Sequence, residues 1–259
     1  MKLPFKMILK SNIEKWRHDT FLGKEPETIE WIKSFNPNNV FFDIGSNIGI
    51  YALYAASLYP DYLIYAFEPV RMNYIRLMQN IEMNKFDNII ALPIAVYGIT
   101  RIDKMQEIDN KIGHSGSLIN SCPDKIVQKE YLLPAITIDD FVDTWGVEPN
   151  HIKIDIDSGE YNLIIKSART LRCSSIKSCL IEVNSHRSEI CKIMQGCGFT
   201  GNNKFNKLPN HSRHRRQQEE GNTAENIIFT RESLADLRDI TQDEASIMYK
   251  YFKRKYKKA

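Results

Sequence analysis

The sequence predicts an α/β fold, a mostly parallel seven-stranded sheet with helices on both faces and an antiparallel last strand. Three observations carry that prediction. Short apolar runs alternate with segments of helical period along most of the 259 residues, the pattern of a parallel sheet joined by helices. The first apolar run, from Val40 to Ile44, has an acid near its end, Asp43, and leads into a tight Gly45-Ser-Asn47-Ile-Gly49 turn followed by a helical pattern. The second, Ile64-Tyr-Ala-Phe67, also ends in an acid, Glu68.

The first strand is expected over 39–44. The next helix opens at Asn47, carries Tyr51, Tyr54, Ala55 and Leu58 on one face, and stops before Pro60. A second strand covers 63–68, and the helix behind it places Tyr74, Leu77, Met78 and Ile81 at i, i+3, i+4 and i+7. A third strand covers 89–94. Residues 97–134, with Gly98, Gly113, Gly116, Pro123 and Pro134, read as a long irregular loop. Such a loop is usually functional, and it follows the carboxyl end of a strand, where open α/β sheets bind ligands. Alternation resumes at Ala135–Val142. The fourth core strand is His151–Asp155, before a helix with Tyr161, Ile164, Ile165, Ala168 and Leu171 on one face. Cys179–Val183 is the fifth, and a helix from Arg187 ends at Gly196–Gly198. The last two strands, 199–206 and 225–230, run antiparallel to each other around the basic loop 207–222. Residues 1–37 form an N-terminal helical cap over one sheet edge, burying Ile29, Ile32 and Phe35. Residues 231–259 form a basic helical extension.

Composition excludes several classes. The opening Met-Lys-Leu-Pro-Phe-Lys has charges where a secretory signal needs an apolar core, and no segment reaches the length of a membrane span. The five cysteines, Cys122, Cys173, Cys179, Cys191 and Cys197, are odd in number and form no Cys-x-x-Cys. Free thiols in a reducing cytoplasm are the simplest expectation. The net charge of +3 is mild but uneven. Lys204, Lys207, Arg213, Arg215 and Arg216 form one acid-free run, and Lys250 to Lys258 another. Such runs attract nucleic acid, anionic lipid or a phosphorylated donor, or they are solvated faces. A helix at 244–258, with Ile247, Met248, Tyr251 and Phe252 opposite its basic residues, would dock on an anionic membrane or pack on the domain.

The turn and the two acids point to a nucleoside cofactor. Glycines let backbone N–H groups approach a ligand, and an ionised carboxylate such as Glu68 accepts both hydroxyls of a ribose. A dinucleotide fingerprint would need a third glycine. Here Gly45 and Gly49 flank Asn47, and Asp43 stands where an amino-acid ammonium would sit. A ribose, an ammonium and no phosphate describe S-adenosyl-L-methionine (SAM). Asp43, Gly45, Asn47 and Gly49 would surround its amino-acid part, Glu68 its ribose, and Ala95 its adenine.

Several blocks, in order over about residues 38–230, resemble the FkbM family of SAM-dependent methyltransferases. They are Phe42-Asp-Ile-Gly-Ser-Asn-Ile-Gly49, Phe67-Glu-Pro69, Asn80-Ile-Glu-Met-Asn84, Pro93-Ile-Ala-Val96, Thr137-Ile-Asp-Asp-Phe141, Ile152-Lys-Ile-Asp-Ile-Asp-Ser-Gly-Glu160 and Leu180-Ile-Glu-Val183. Asp157 and Ser158 depart from it, standing where the family has Glu and Gly. The resemblance implies a Rossmann-like class I SAM-dependent methyltransferase fold. It also implies an enzyme that methylates hydroxyls of sugars, glycolipids, polysaccharides or natural products.

A hydroxyl is a poor nucleophile near neutral pH, so a base or a metal helps. Asp155, ending the fourth strand, is the expected base or acceptor-orienting group, with Glu160 as a second acidic contact. His114, in the long loop, has an intrinsic pKa suited to base work. A divalent metal shared by Asp155, Asp157 and Glu182 stays open, though no ligand pattern indicates one. The expected partner is a small-molecule or glycan acceptor. Nucleic acid is disfavoured, because the place after the fourth strand reads Asp155-Ile-Asp-Ser rather than Asn/Asp-Pro-Pro-aromatic. A nicotinamide oxidoreductase would want a Tyr-x-x-x-Lys, found only at Tyr251 and Lys255 in the tail. A non-enzymatic binding module would not need the intact glycines and Glu68.

Overall fold

A computed structural model of the chain describes residues 3–36, 39–109, 111–115, 118–119, 126–157, 159–201, 203–208 and 224–231. Ser158, Cys122, most of the basic loop and the whole extension from 232 to 259, including the helix expected at 244–258, lie outside the described residues.

Five parallel strands form the frame: β1 (Val40–Ile44), β2 (Leu63–Phe67), β3 (Ile89–Leu92), β8 (His151–Ile154) and β9 (Ser178–Val183). β11 (Glu225–Thr230) runs antiparallel to β9 and to the short β10 (Thr200–Gly201). From one edge the order is β3-β2-β1-β8-β9-β11-β10. The chain therefore leaves β1 in one direction toward β3 and later returns on its other side at β8. That reversal opens a crevice at the carboxyl ends of β1 and β8, where sheets of this kind hold ligands.

Helices cover both faces, as predicted. α1 (Asn12–Lys24), α2 (Pro26–Lys33), α3 (Ile50–Leu58) and α4 (Arg71–Asn84) fill one core with Phe41, Ile64, Leu180 and Ile228 of the sheet. α5 (Ile138–Trp145), α6 (Glu160–Lys166), α7 (Ala168–Arg172) and α8 (Arg187–Gly196) fill the other with Phe42, Ile44, Ile152 and Ile181.

Four expectations are corrected. The helix after the first turn opens at Ile50, not Asn47, because Asn47 (φ 54°) and Gly49 (φ 91°) are both left-handed and extend the turn. The N-terminal segment covers a face rather than an edge. Ile29, Ile32 and Phe35 are buried as expected, but Phe35 stacks on His151 of β8 at 3.8 Å, the Trp31 indole donates to Ser178 Oγ of β9 at 2.8 Å and Asn226 of β11 donates to Glu27 at 3.0 Å, so α2 and the residues after it lie across one face of β8, β9 and β11. The strand expected over 199–206 is only β10, followed by a short helix, α9 (Asn203–Asn206). The Asn206 amide then replaces a strand at the sheet edge, accepting from Ile228 N–H at 2.9 Å and donating to its carbonyl at 3.0 Å.

The largest correction concerns 97–134. Much of it is a second sheet of four strands, β4 (Ala95–Val96), β5 (Arg101–Glu107), β6 (Leu118–Ile119) and β7 (Lys129–Ile136), in the order β4-β7-β5-β6. Its alternation is hidden because β5 turns Asp103, Met105 and Glu107 inward and Ile102 outward. The inward acids are met by Arg101 and by the Tyr131 hydroxyl. Pro134 is tolerated in β7 because pairing with β4 begins only at Ala135. Among the described residues, no helix is long and apolar enough to cross a membrane.

The N-terminal arm is tied to α4 by the two asparagines of the Asn80…Asn84 block. Asn84 accepts from Lys6 N–H at 2.7 Å and donates to the Lys6 carbonyl at 2.8 Å. Asn80 accepts from Ile8 N–H and donates to the Ile48 carbonyl, both at 2.9 Å. A buried ion pair between Arg76 and Glu14 fixes α1 against α4. The arm and the ligand-side turn are thus joined through one buried side chain, Asn80.

Candidate cofactor site

The turn after β1 is wedged between the ends of its neighbours. Gly45 and Ser46 N–H both donate to the Phe67 carbonyl of β2 at 3.0 Å. On the other side a Cβ at Gly45 would stand 1.8 Å from the Asp155 carbonyl oxygen, and its φ is 80°. No side chain fits there. Asn47 N–H then donates to Glu68 Oε2 at 2.6 Å, and Val70 N–H donates to Oε1 at 2.9 Å. Each Glu68 oxygen is fixed by one backbone bond and keeps lone-pair capacity for a further donor. Burial pushes the Glu68 carboxyl up to about 7, against the pull of those two N–H bonds.

A pocket at the crevice is lined by Gly45, Asn47, Glu68, Ala95, His114 and Asp155, among others. Six of the expected site residues are therefore brought together. Gly49 stands behind them, where a Cβ would meet Leu77 at 2.4 Å. Asp43 is also behind the pocket wall. It is fully buried, with its carboxylate 3.8 Å from Lys153 Nζ. Glu160 is buried at the start of α6 and turns back to accept from Ile156 N–H at 3.3 Å, so it does not line the pocket. Tyr54 packs in the core against Phe5 and Phe21. Tyr51 packs against Phe21 as well, but it also faces the pocket.

Lys153 is a site residue that the sequence alone does not single out. It lies in the middle of a central strand, buried to 1% exposure, and reaches the pocket wall. Its ammonium is 3.1 Å from Asp155 Oδ2 and 3.8 Å from Asp43 Oδ1, and 5.0 Å from the centre of the Tyr51 ring. The Tyr51 hydroxyl in turn donates to Glu25 Oε2 at 2.6 Å. Burial alone would lower the Lys153 pKa; Asp155 and Asp43 outweigh it and hold the lysine charged. Burial likewise works to raise Asp155, but the Lys153 ammonium leaves its carboxyl below the usual range. The signal was present in the sequence: a lysine inside the apolar strand His151-Ile-Lys-Ile154 needs a buried counter-charge.

The segment 111–115 closes over the turn through its backbone. The His114 carbonyl accepts from Asn47 Nδ2 at 3.0 Å and Asn73 Nδ2 at 3.2 Å, and Gly113 N–H donates to Asn73 Oδ1 at 2.7 Å. The His114 ring is partly exposed, with Nε2 3.7 Å from Asp109. Asp155, Asp157 and Glu182 do not converge on a cation, and among the described residues no three His, Cys, Asp or Glu side chains are placed to hold a metal.

The methyltransferase FkbM domain model matches residues 43–222. The chain belongs to the FkbM methyltransferase family. No curated protein sequence matches it. Among solved structures, precorrin-6y C5,15-methyltransferase from Geobacter metallireducens GS-15 is similar at 12% identity and a TM-score of 0.44, over 88% of this chain and 94% of that one. Fibrillarin from Aeropyrum pernix, solved with S-adenosyl-L-methionine, aligns at 10% identity and 0.43, over 75% and 67%. The METTL16 MTase domain aligns at 12% and 0.47, over 89% and 74%. At these scores they add nothing to the fold already read from the strand order.

As an FkbM methyltransferase the protein is an enzyme that uses SAM. Its pocket fits that cofactor: Glu68 presents a fixed carboxylate with unused acceptor capacity, beside a turn in which Gly45 brings the β1 and β8 ends into direct backbone contact. A pH dependence follows. Ribose hydroxyls held by Glu68 would donate to its ionised form, so binding of S-adenosylhomocysteine, the demethylated product, is expected to strengthen as pH rises through about 7 and to level off above it. Below that point affinity falls by up to about tenfold per pH unit, until the lowered pKa of the bound form is reached. Calorimetric titrations at a series of pH values would show this slope, and Glu68→Gln would flatten it.

Proposed function

We propose that this FkbM methyltransferase transfers a methyl group to a hydroxyl of a sugar, glycolipid, polysaccharide or natural-product acceptor. The observation that carries the reading is Asp155, an ionised carboxylate on the pocket wall beside the cofactor cradle, held by Lys153 at 3.1 Å. When bound, SAM supplies the electrophilic methyl group. Asp155 accepts the hydrogen bond of the acceptor hydroxyl and so aims an oxygen lone pair into the pocket. A carboxylate with a low pKa is a weak base toward a free alcohol. It is strong enough for an alcohol whose oxygen is already forming a new bond to carbon, because that proton has become acidic. Tyr51, with its hydroxyl tied to Glu25, packs beside Lys153 and keeps the ammonium on the two aspartates.

The test is transfer of a labelled methyl group from SAM to a panel of sugars, glycolipids and polyhydroxylated natural products. Asp155→Asn is expected to lower kcat by roughly 10²-fold or more while S-adenosylhomocysteine affinity stays within about threefold, since Lys153 retains Asp43. Unchanged turnover in Asp155→Asn would remove Asp155 from the reaction. Transfer only to amino groups or to nucleic acid would overturn the hydroxyl assignment.

A further inference from the structure

Arg17 lies on α1, ahead of the residues the family model matches. Its side chain is partly buried, contributes to the pocket wall, and is fixed by a hydrogen bond from Nε to the Gly113 carbonyl at 2.6 Å. That bond uses only one of the five guanidinium N–H groups. Among the described residues, Arg76, Arg101, Arg169 and Arg187 each meet a carboxylate; Arg17 makes no ion pair. Three carboxylates line the pocket with it, Glu68, Asp155 and Asp157. Glu68 is held by two backbone N–H groups and Asp155 by Lys153, and the Arg17 charge reaches Glu68 only through space, drawing its carboxyl down against burial. A guanidinium with a fixed stem and an unfilled fork is matched by carboxylate or phosphate oxygens.

We propose that Arg17 is the anion anchor of this pocket, binding a carboxylate or phosphate group of its occupant through the two terminal guanidinium nitrogens. The anion is supplied either by the amino-acid end of the cofactor or by an acidic group on the acceptor. The proposal rests on the SAM reading of the pocket for its first source only. It makes α1 part of the ligand site, although α1 lies outside the matched domain.

The experiment compares the wild-type protein with Arg17→Met in calorimetric titrations with S-adenosylhomocysteine, with 5′-methylthioadenosine, which lacks the amino-acid end, and with inorganic phosphate. If the cofactor supplies the anion, Arg17→Met weakens S-adenosylhomocysteine tenfold or more and leaves 5′-methylthioadenosine within twofold. The second value also shows that the variant is folded. If the acceptor supplies it, both nucleosides bind the variant within twofold, while phosphate binds the wild-type S-adenosylhomocysteine complex and not that of the variant. Arg17→Lys, which keeps the charge without the fork, falls between wild type and Arg17→Met in whichever titration responds. Equal behaviour of wild type and Arg17→Met toward all three probes overturns the proposal, and so does a loss of 5′-methylthioadenosine equal to that of S-adenosylhomocysteine. A wild-type protein that binds neither nucleoside would sink the SAM reading itself; the phosphate titration of the two proteins alone would then still decide Arg17.

Discussion

Replacing Lys153 with methionine is expected to lower folding stability by about 3–5 kcal/mol, the cost of stranding a buried charge. Asp43 has no exposure to water, and the ammonium 3.8 Å away is its neutralising partner. Burial already raises the Asp43 carboxyl above its ordinary range, with Lys153 pulling the other way. Without the lysine that pKa rises further. A carboxyl whose folded pKa exceeds its unfolded value destabilises the fold above the unfolded pKa and ceases to do so below it. The deficit of Lys153→Met is therefore larger at alkaline than at mildly acidic pH. Urea denaturation at two pH values checks this, and adding Asp43→Asn to the variant should restore part of the loss. Additive losses in the double variant would show that the two residues do not act as a pair.

Glu68→Ala is expected to weaken S-adenosylhomocysteine binding by roughly 10²- to 10⁴-fold. The estimate takes two hydrogen bonds to a charged acceptor at about 1.5–3 kcal/mol each and about 1.4 kcal/mol per tenfold in affinity. The variant also leaves Asn47 and Val70 N–H without their acceptor, which loosens the turn that shapes the pocket. Because the ribose is common to both nucleosides, 5′-methylthioadenosine should lose affinity in parallel. That separates Glu68 from Arg17, whose loss is expected to spare that ligand. Full retention of nucleoside affinity in Glu68→Ala would show that the carboxylate serves only to hold the turn.

The parallel frame was legible because its strands are apolar on both faces and end in turn residues, as in Phe41-Phe-Asp-Ile-Gly45. Gly45 and Glu68 were legible for a related reason: each answers a backbone constraint at a strand end. The second sheet was not, because β5 places Asp103 and Glu107 inside and Ile102 outside, so polarity does not report direction. The place of Asp43 beside the turn suggests a ligand contact. The side-chain alternation of β1 instead points it into the same layer as Lys153, its partner in register. The sequence offers the His114 ring, whereas its backbone carbonyl makes the contacts to Asn47 and Asn73. No sequence period reports a carbonyl. Arg17 was invisible for a different reason, since its role depends on Gly113, 96 residues away in the chain.

The most direct test of the cofactor site is a calorimetric titration of the purified chain with S-adenosylhomocysteine at pH 8, where Glu68 is ionised, beside a matched titration with NADH. Saturable binding of S-adenosylhomocysteine at one site per chain, with no heat from NADH, is the predicted result. A folded protein, by circular dichroism, that binds NADH but not S-adenosylhomocysteine, or neither, would contradict the assignment of this pocket.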